Sequence, residues 1–174
     1  EIPMKRLLKS TVRACMSQSR TGPVVITQEI ENDLEMLRNG MNEHPFWQNE
    51  LFLACEAGQL TREDFAYVFG QYYSYTSKFT RFLAASMVNC ENDYYRAMLS
   101  ENMWEEGGML EPEQRHAQLF RDFLNNSLSI SDPREVKQEV YTKYFSETFL
   151  DDIQKSYDNA YSASYLSLGT EAIV

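Results

Sequence analysis

The sequence predicts an all-α fold, and three observations carry that expectation. Apolar residues recur at helical spacing along nearly the whole chain, glycine and proline are few, and most of them stand where helices should start or stop. There are only 7 Gly and 5 Pro in 174 residues, and no internal repeat or low-complexity stretch interrupts the pattern. A chain of this length builds one compact domain with a sizeable core. A single helical domain is therefore expected over 1–174, with an N-terminal helix and link over 1–26 and a bundle from 27 onward.

The elements follow in order. Residues 4–19 form a basic amphipathic stretch, stopped by Thr21-Gly22-Pro23. The apolar link Val24-Val25-Ile26 leads to Thr27, a helix N-cap. Ile30, Leu34, Leu37 and Met41 then make one apolar face, and His44-Pro45 ends that helix because proline pushes its predecessor out of the α region. Residues 45–57, with Phe46, Trp47, Leu51 and Phe52, read as a short buried helix closed by Gly58. Thr61-Arg62-Glu63-Asp64 has the pattern of a capping box and opens a long helix to about Asn89. Its aromatics (Phe65, Phe69, Tyr72, Tyr73, Phe79, Phe82) point to more than one side, which predicts a central position. A helix over 92–106 ends at Gly107-Gly108, and Pro112 opens the next, to about 126. Asp132-Pro133 starts a last helical region that runs to the C-terminus, with a break near 156–159.

Composition narrows the function. Sixteen Lys+Arg against 26 Asp+Glu give a net charge of −10 and a pI near 4.7, which argues against a phosphate-neutralising surface and so against nucleic acid as a partner. No apolar run approaches the roughly 18 residues that would mark a membrane span, and mean hydropathy is −0.49. No export signal is read at the basic start, and Cys15, Cys55 and Cys90 show neither a disulfide framework nor zinc spacing. A cytoplasmic protein is expected, with a small molecule as partner, no membrane association, and a homodimer left open.

Chemistry concentrates in Glu101-Asn102-Met103-Trp104-Glu105-Glu106-Gly107-Gly108 and in Glu111-Pro112-Glu113-Gln114-Arg115-His116. A carboxylate at the C-terminal end of a helix is disfavoured by the helix dipole and calls for a positive partner, which a metal ion would supply. Helical geometry does not choose between Glu105 and Glu106, because Gly107, Gly108 and Pro112 break the register towards His116. Glu171, in a segment of apolar and small residues, is a further carboxylate that would need a partner if buried.

The runs Glu43-His44-Pro45-Phe46-Trp47, Gly58-Gln59-Leu60-Thr61-Arg62-Glu63-Asp64-Phe65 and Gln71-Tyr72-Tyr73-Ser74-Tyr75 resemble the opening helices of the haem-oxygenase-like superfamily. Asn102-x-x-Glu105-Glu106-x-Gly108, with His116 and Leu119, looks more specifically like its iron-containing redox branch, the di-iron oxidases and oxygenases. The likeness is clearest over 43–125 and weaker over 157–172.

It implies a haem-oxygenase-like helical bundle with Glu106 and His116 as ligands of one iron, Glu105 as the alternative to Glu106, and Glu171 as a bridging ligand. It also implies two Fe(II) per complete site, with O2 as co-substrate. A later family helix carries His, Asp and His at i, i+4 and i+7, and nothing up to Val174 matches it. The bundle is therefore expected to lack its C-terminal helices in this chain. Glu and His donors suit Fe(II), and facing helices build such sites.

The leading expectation is a non-haem di-iron enzyme that activates O2 to oxidise a small, amino-acid-derived substrate, with Tyr72, Tyr75 and Phe79 as pocket walls. Some relatives that oxygenate nitrogen carry an extra carboxylate on the long helix. This chain has Ser77, Lys78, Phe79 and Thr80 at the matching turn, which favours oxidative cleavage or desaturation. Two alternatives stand beside it: a metal-free thiaminase-like hydrolase, for which Cys90 lacks a neighbouring base, and a non-catalytic helical module that binds a basic partner through an acidic face.

Overall fold

The structure is a computed structural model, and it describes residues 21–23 and 25–155. The basic stretch over 4–19 and the segment that holds Glu171 lie outside the described residues. Within them every regular element is helical: α1 (Gln28–Asn42), α2 (Glu50–Glu56), α3 (Arg62–Thr76), α4 (Phe79–Val88), α5 (Asp93–Glu106), α6 (His116–Leu128) and α7 (Val140–Lys155), with short 3-10 turns at Pro45–Gln48, Pro112–Gln114 and Pro133–Glu135. None of these helices is long and apolar enough to cross a membrane.

Local chemistry sets the starts. The Thr27 hydroxyl accepts a hydrogen bond from the Ile30 amide. At α3 the Thr61 hydroxyl accepts from the Asp64 amide while the Asp64 carboxylate accepts from the Thr61 amide at 2.8 Å, a complete capping box. Donation to the Asp64 carboxylate by the Thr61 amide, and then by the Thr61 hydroxyl at 2.8 Å, holds that carboxyl below its ordinary range. The three prolines at 45, 112 and 133 each open a 3-10 turn. His44, one of only two histidines, is spent as a cap, since its Nδ1 accepts from the Phe46 amide at 3.1 Å.

The structure corrects the sequence reading in four places. The long helix expected over 61–89 is broken at Ser77-Lys78 into α3 and α4. There the Lys78 amide bonds the Tyr75 carbonyl three residues back, while the Thr76 hydroxyl competes for the Tyr73 carbonyl; hydroxyl side chains of this kind weaken the helical ladder. The segment 45–57 is a 3-10 turn plus α2 and contains no buried residue. Its aromatics instead pack on one another, with the Trp47 and Phe52 rings stacked 5.7 Å apart. The helix expected from Pro112 begins only at His116, and the last helix begins at Val140 rather than at Pro133.

The expected central position of the aromatic stretch is what the packing shows. α3 lies against α6 and α7, and α4 against α5 and α7. The core gathers Tyr75, Phe79, Phe82 and Leu83 with Phe149 and Ile153 of α7. Phe82 and Phe149 are fully buried and meet edge to face at 4.7 Å, the favoured geometry for an aromatic pair. Two buried hydroxyls, Ser74 and Ser146, satisfy each other at 2.9 Å where α3 crosses α7.

Candidate metal centre

The turn after α5 places the chemistry. Gly107 caps the helix, Gly108 adopts φ +82°, and the Gly108 and Met109 amides bond back to the Glu105 and Trp104 carbonyls at 2.9 Å each. This is the Schellman arrangement, in which a left-handed residue satisfies the last carbonyls of the helix. Gly108 is required for more than its φ. A Cβ there would run into the Glu111 carbonyl oxygen and come within 2.6 Å of the Arg115 backbone nitrogen. The chain therefore folds tightly through 107–115 and starts α6 at His116 beside the end of α5.

As a result the Glu106 Oε1 and His116 Nδ1 atoms stand 2.8 Å apart. With Glu106 ionised, its oxygen can only accept and Nδ1 is the donor. Among the described residues Nε2 of this ring has no partner. The Glu106 side chain is 17% exposed and that of His116 57%, so the pair is recessed on the carboxylate side and open on the imidazole side. Glu106 is the last residue of α5, whose dipole disfavours its charge, and it reaches the first turn of α6, whose N-terminus favours it. Glu105 points elsewhere and is exposed. The turn thus brings Glu106, and not Glu105, to His116.

The other expected site residues fall out as follows. Tyr75 and Phe79 are buried in the core cluster, and Tyr72 packs against it while keeping some exposure. The Tyr72 ring also meets Phe120 of α6 edge to face at 5.8 Å. Glu171 lies outside the described residues. Cys90 is buried, and its thiol donates to the Asn92 carbonyl, a structural role at the α4–α5 junction. The sequence reading passes over Arg121, Asp132 and Arg134, which line a cleft between α6 and the Pro133 turn. Only the Asp-Pro-Arg run hinted at the ion pair there.

A carboxylate and an imidazole meeting at the ends of two bundle helices are the donor types that a redox-active divalent cation takes, so the pair fits iron in chemistry. Among the described residues no group of three or more His, Cys, Asp or Glu gathers, so these two supply only part of a coordination shell. Fold and site together define an all-α, haem-oxygenase-like bundle with a carboxylate–imidazole pair at one end. Residues 66–167 match the family of iron-containing redox enzymes, and the chain belongs to it. That stretch takes in α4 to α7, most of α3 and both members of the pair. No curated protein and no solved structure gives a significant match.

Proposed function

We propose that this protein is a non-haem di-iron enzyme that activates O2 to oxidise a small, amino-acid-derived substrate, with cleavage or desaturation of a carbon skeleton favoured over N-oxygenation. The observation that carries the reading is the 2.8 Å approach of Glu106 to His116 within a family of iron-containing redox enzymes. Bound iron supplies the electrons that turn O2 into an oxidant, chemistry that no side chain here provides. Glu106 and His116 hold one iron in this reading, and Glu171 is the bridging carboxylate. The negative charges of the two glutamates offset those of the cations. Of the aromatic trio Tyr72, Tyr75 and Phe79, Tyr72 retains exposure, so contact with substrate falls to it first.

The preference against N-oxygenation rests on the Ser77-Lys78 break, which offers no carboxylate. The test is His116→Ala, assayed by circular dichroism and by iron titration with O2-dependent absorbance. The variant should stay helical and lose iron. Parent-like iron binding would refute the assignment, and a parent that takes up iron without consuming O2 would refute the O2 chemistry.

A further inference from the structure

On another flank of α6 lies a cleft of about 470 Å³ lined by Gln118, Arg121, Asn125, Asn126 and the Ser131–Arg134 turn. His116 and Arg121 are five residues apart, about 140° round the helix, and neither Glu106 nor His116 lines the cleft. Its two arginines differ. Arg134 is tied to Asp132 by a two-pronged ion pair, Nε to Oδ1 at 2.8 Å and an amino group to Oδ2 at 2.6 Å. Arg121 is half-buried, and its amino groups are held by neutral acceptors, the Gln118 amide oxygen and the Tyr73 hydroxyl. Among the described residues no carboxylate stands within ion-pair distance of it.

A guanidinium partly withdrawn from water and lining a cleft without a directly bonded carboxylate is a ready receptor for an oxyanion, even with Asp132 near enough to feel its charge, and its planar fork matches a carboxylate. The lining limits how much negative charge can enter. Asp122 and Asp132 balance Arg121 and Arg134, so the wall is neutral before a ligand arrives, and the chain as a whole carries −10. A polyanion is therefore disfavoured. The remaining wall consists of amides and a hydroxyl; among the described residues the Asn126 side chain has no hydrogen-bond partner, and the Asn125 side chain makes only a long contact, 3.4 Å, to the Ser131 carbonyl. Such groups bind hydroxyls.

We propose that this cleft is a second ligand site, one that takes a small hydroxylated monocarboxylate with its carboxylate on Arg121 and its hydroxyls on the Asn125, Asn126 and Ser131 side. The site is independent of the iron chemistry. The probe is D-gluconate, titrated into the full 174-residue chain labelled with nitrogen-15, with D-glucose and inorganic phosphate in parallel. Gluconate should shift the amide resonances of residues 118–134 saturably and bind at least about tenfold tighter than glucose or phosphate.

Arg121→Gln should lose about tenfold or more of that affinity, and Asn126→Ala a few-fold, both with unchanged circular dichroism. Should Arg121→Gln fail to fold, Asn126→Ala decides alone, because Asn126 is exposed and makes no bond the fold needs. The proposal is overturned if gluconate causes no shift, if phosphate binds as tightly as gluconate, or if the folded variants bind gluconate as the parent does.

Discussion

The aromatic core and the pair at the end of α5 are built on opposite plans. In the core, Phe82 and Phe149 are fully buried, and their neighbours Tyr75, Phe79 and Ile153 come from three helices. At the other site two side chains from two helix ends meet across one hydrogen bond, one of them 57% exposed. Burial of a large aromatic contributes kilocalories to folding, whereas an exposed polar pair contributes about 1 kcal/mol or less. The core therefore sets stability and leaves the pair free to be chosen for chemistry. The turn at Gly108 joins the two plans, because its left-handed backbone, which glycine adopts without strain, is what brings Glu106 to His116.

The sharpest way to break this contrast is Phe82→Ala, which should destabilise the protein by about 3–5 kcal/mol in a denaturant titration. A loss near 1 kcal/mol would mean that the core is not the stabilising region. Gly108→Ala tests the joint, and should cost about 2–3 kcal/mol from the forced left-handed residue and the backbone clash. It should also weaken iron binding, because the turn that aligns the pair must move; a stable variant with parent-like iron affinity would separate the turn from the site.

Glu106→Gln and Glu105→Gln sharpen the comparison from the other side. Glu106→Gln, at a recessed and hydrogen-bonded site, should change stability by about 1 kcal/mol, and Glu105→Gln, at an exposed one, by less than about 0.5 kcal/mol. The first should lower iron affinity by about tenfold or more and the second should leave it alone. A Glu106→Gln protein that retains iron would recast Glu106 as the residue that orients His116 through Nδ1 while Nε2 binds the metal, since a glutamine side chain can still accept that hydrogen bond.

The smallest effect concerns pH. Hydrogen bonds from the Arg134 side chain and then its backbone amide, aided by the charges of Arg134 and Arg121, lower the Asp132 carboxyl to about 2. A carboxyl whose folded value lies below its unfolded one contributes stability above the unfolded value of 3.8, and that contribution is lost as pH falls through about 2. Melting curves from about pH 5 to about pH 2 should therefore show a small acid loss that Asp132→Asn removes. An unchanged curve in the variant would assign the acid sensitivity elsewhere.

Much of the architecture was legible in the sequence because its punctuation is local. Thr27, the Thr61–Asp64 box, Gly58, Gly107-Gly108 and Pro45 act within one helical turn of themselves and start or stop helices as their residue types dictate, whereas Pro112 and Pro133 open only 3-10 turns and the helices after them start later. Glu106 and His116 were legible as candidates for the same reason: the residue types are a matter of chemistry, and the chain has only two histidines.

Other features belong to the tertiary structure, because they depend on groups distant in sequence or on a path through space. The break at Ser77-Lys78 lets α3 and α4 address different partners across the core, which no periodicity in 61–89 announces. The self-contained packing of Phe46, Trp47 and Phe52 left the expected buried helix unburied. The approach of Glu106 to His116 required the left-handed turn at Gly108, and the Arg121 cleft required α6 to lie beside the Pro133 turn. Helix ends are decided by neighbours in the chain, and sites by neighbours in space.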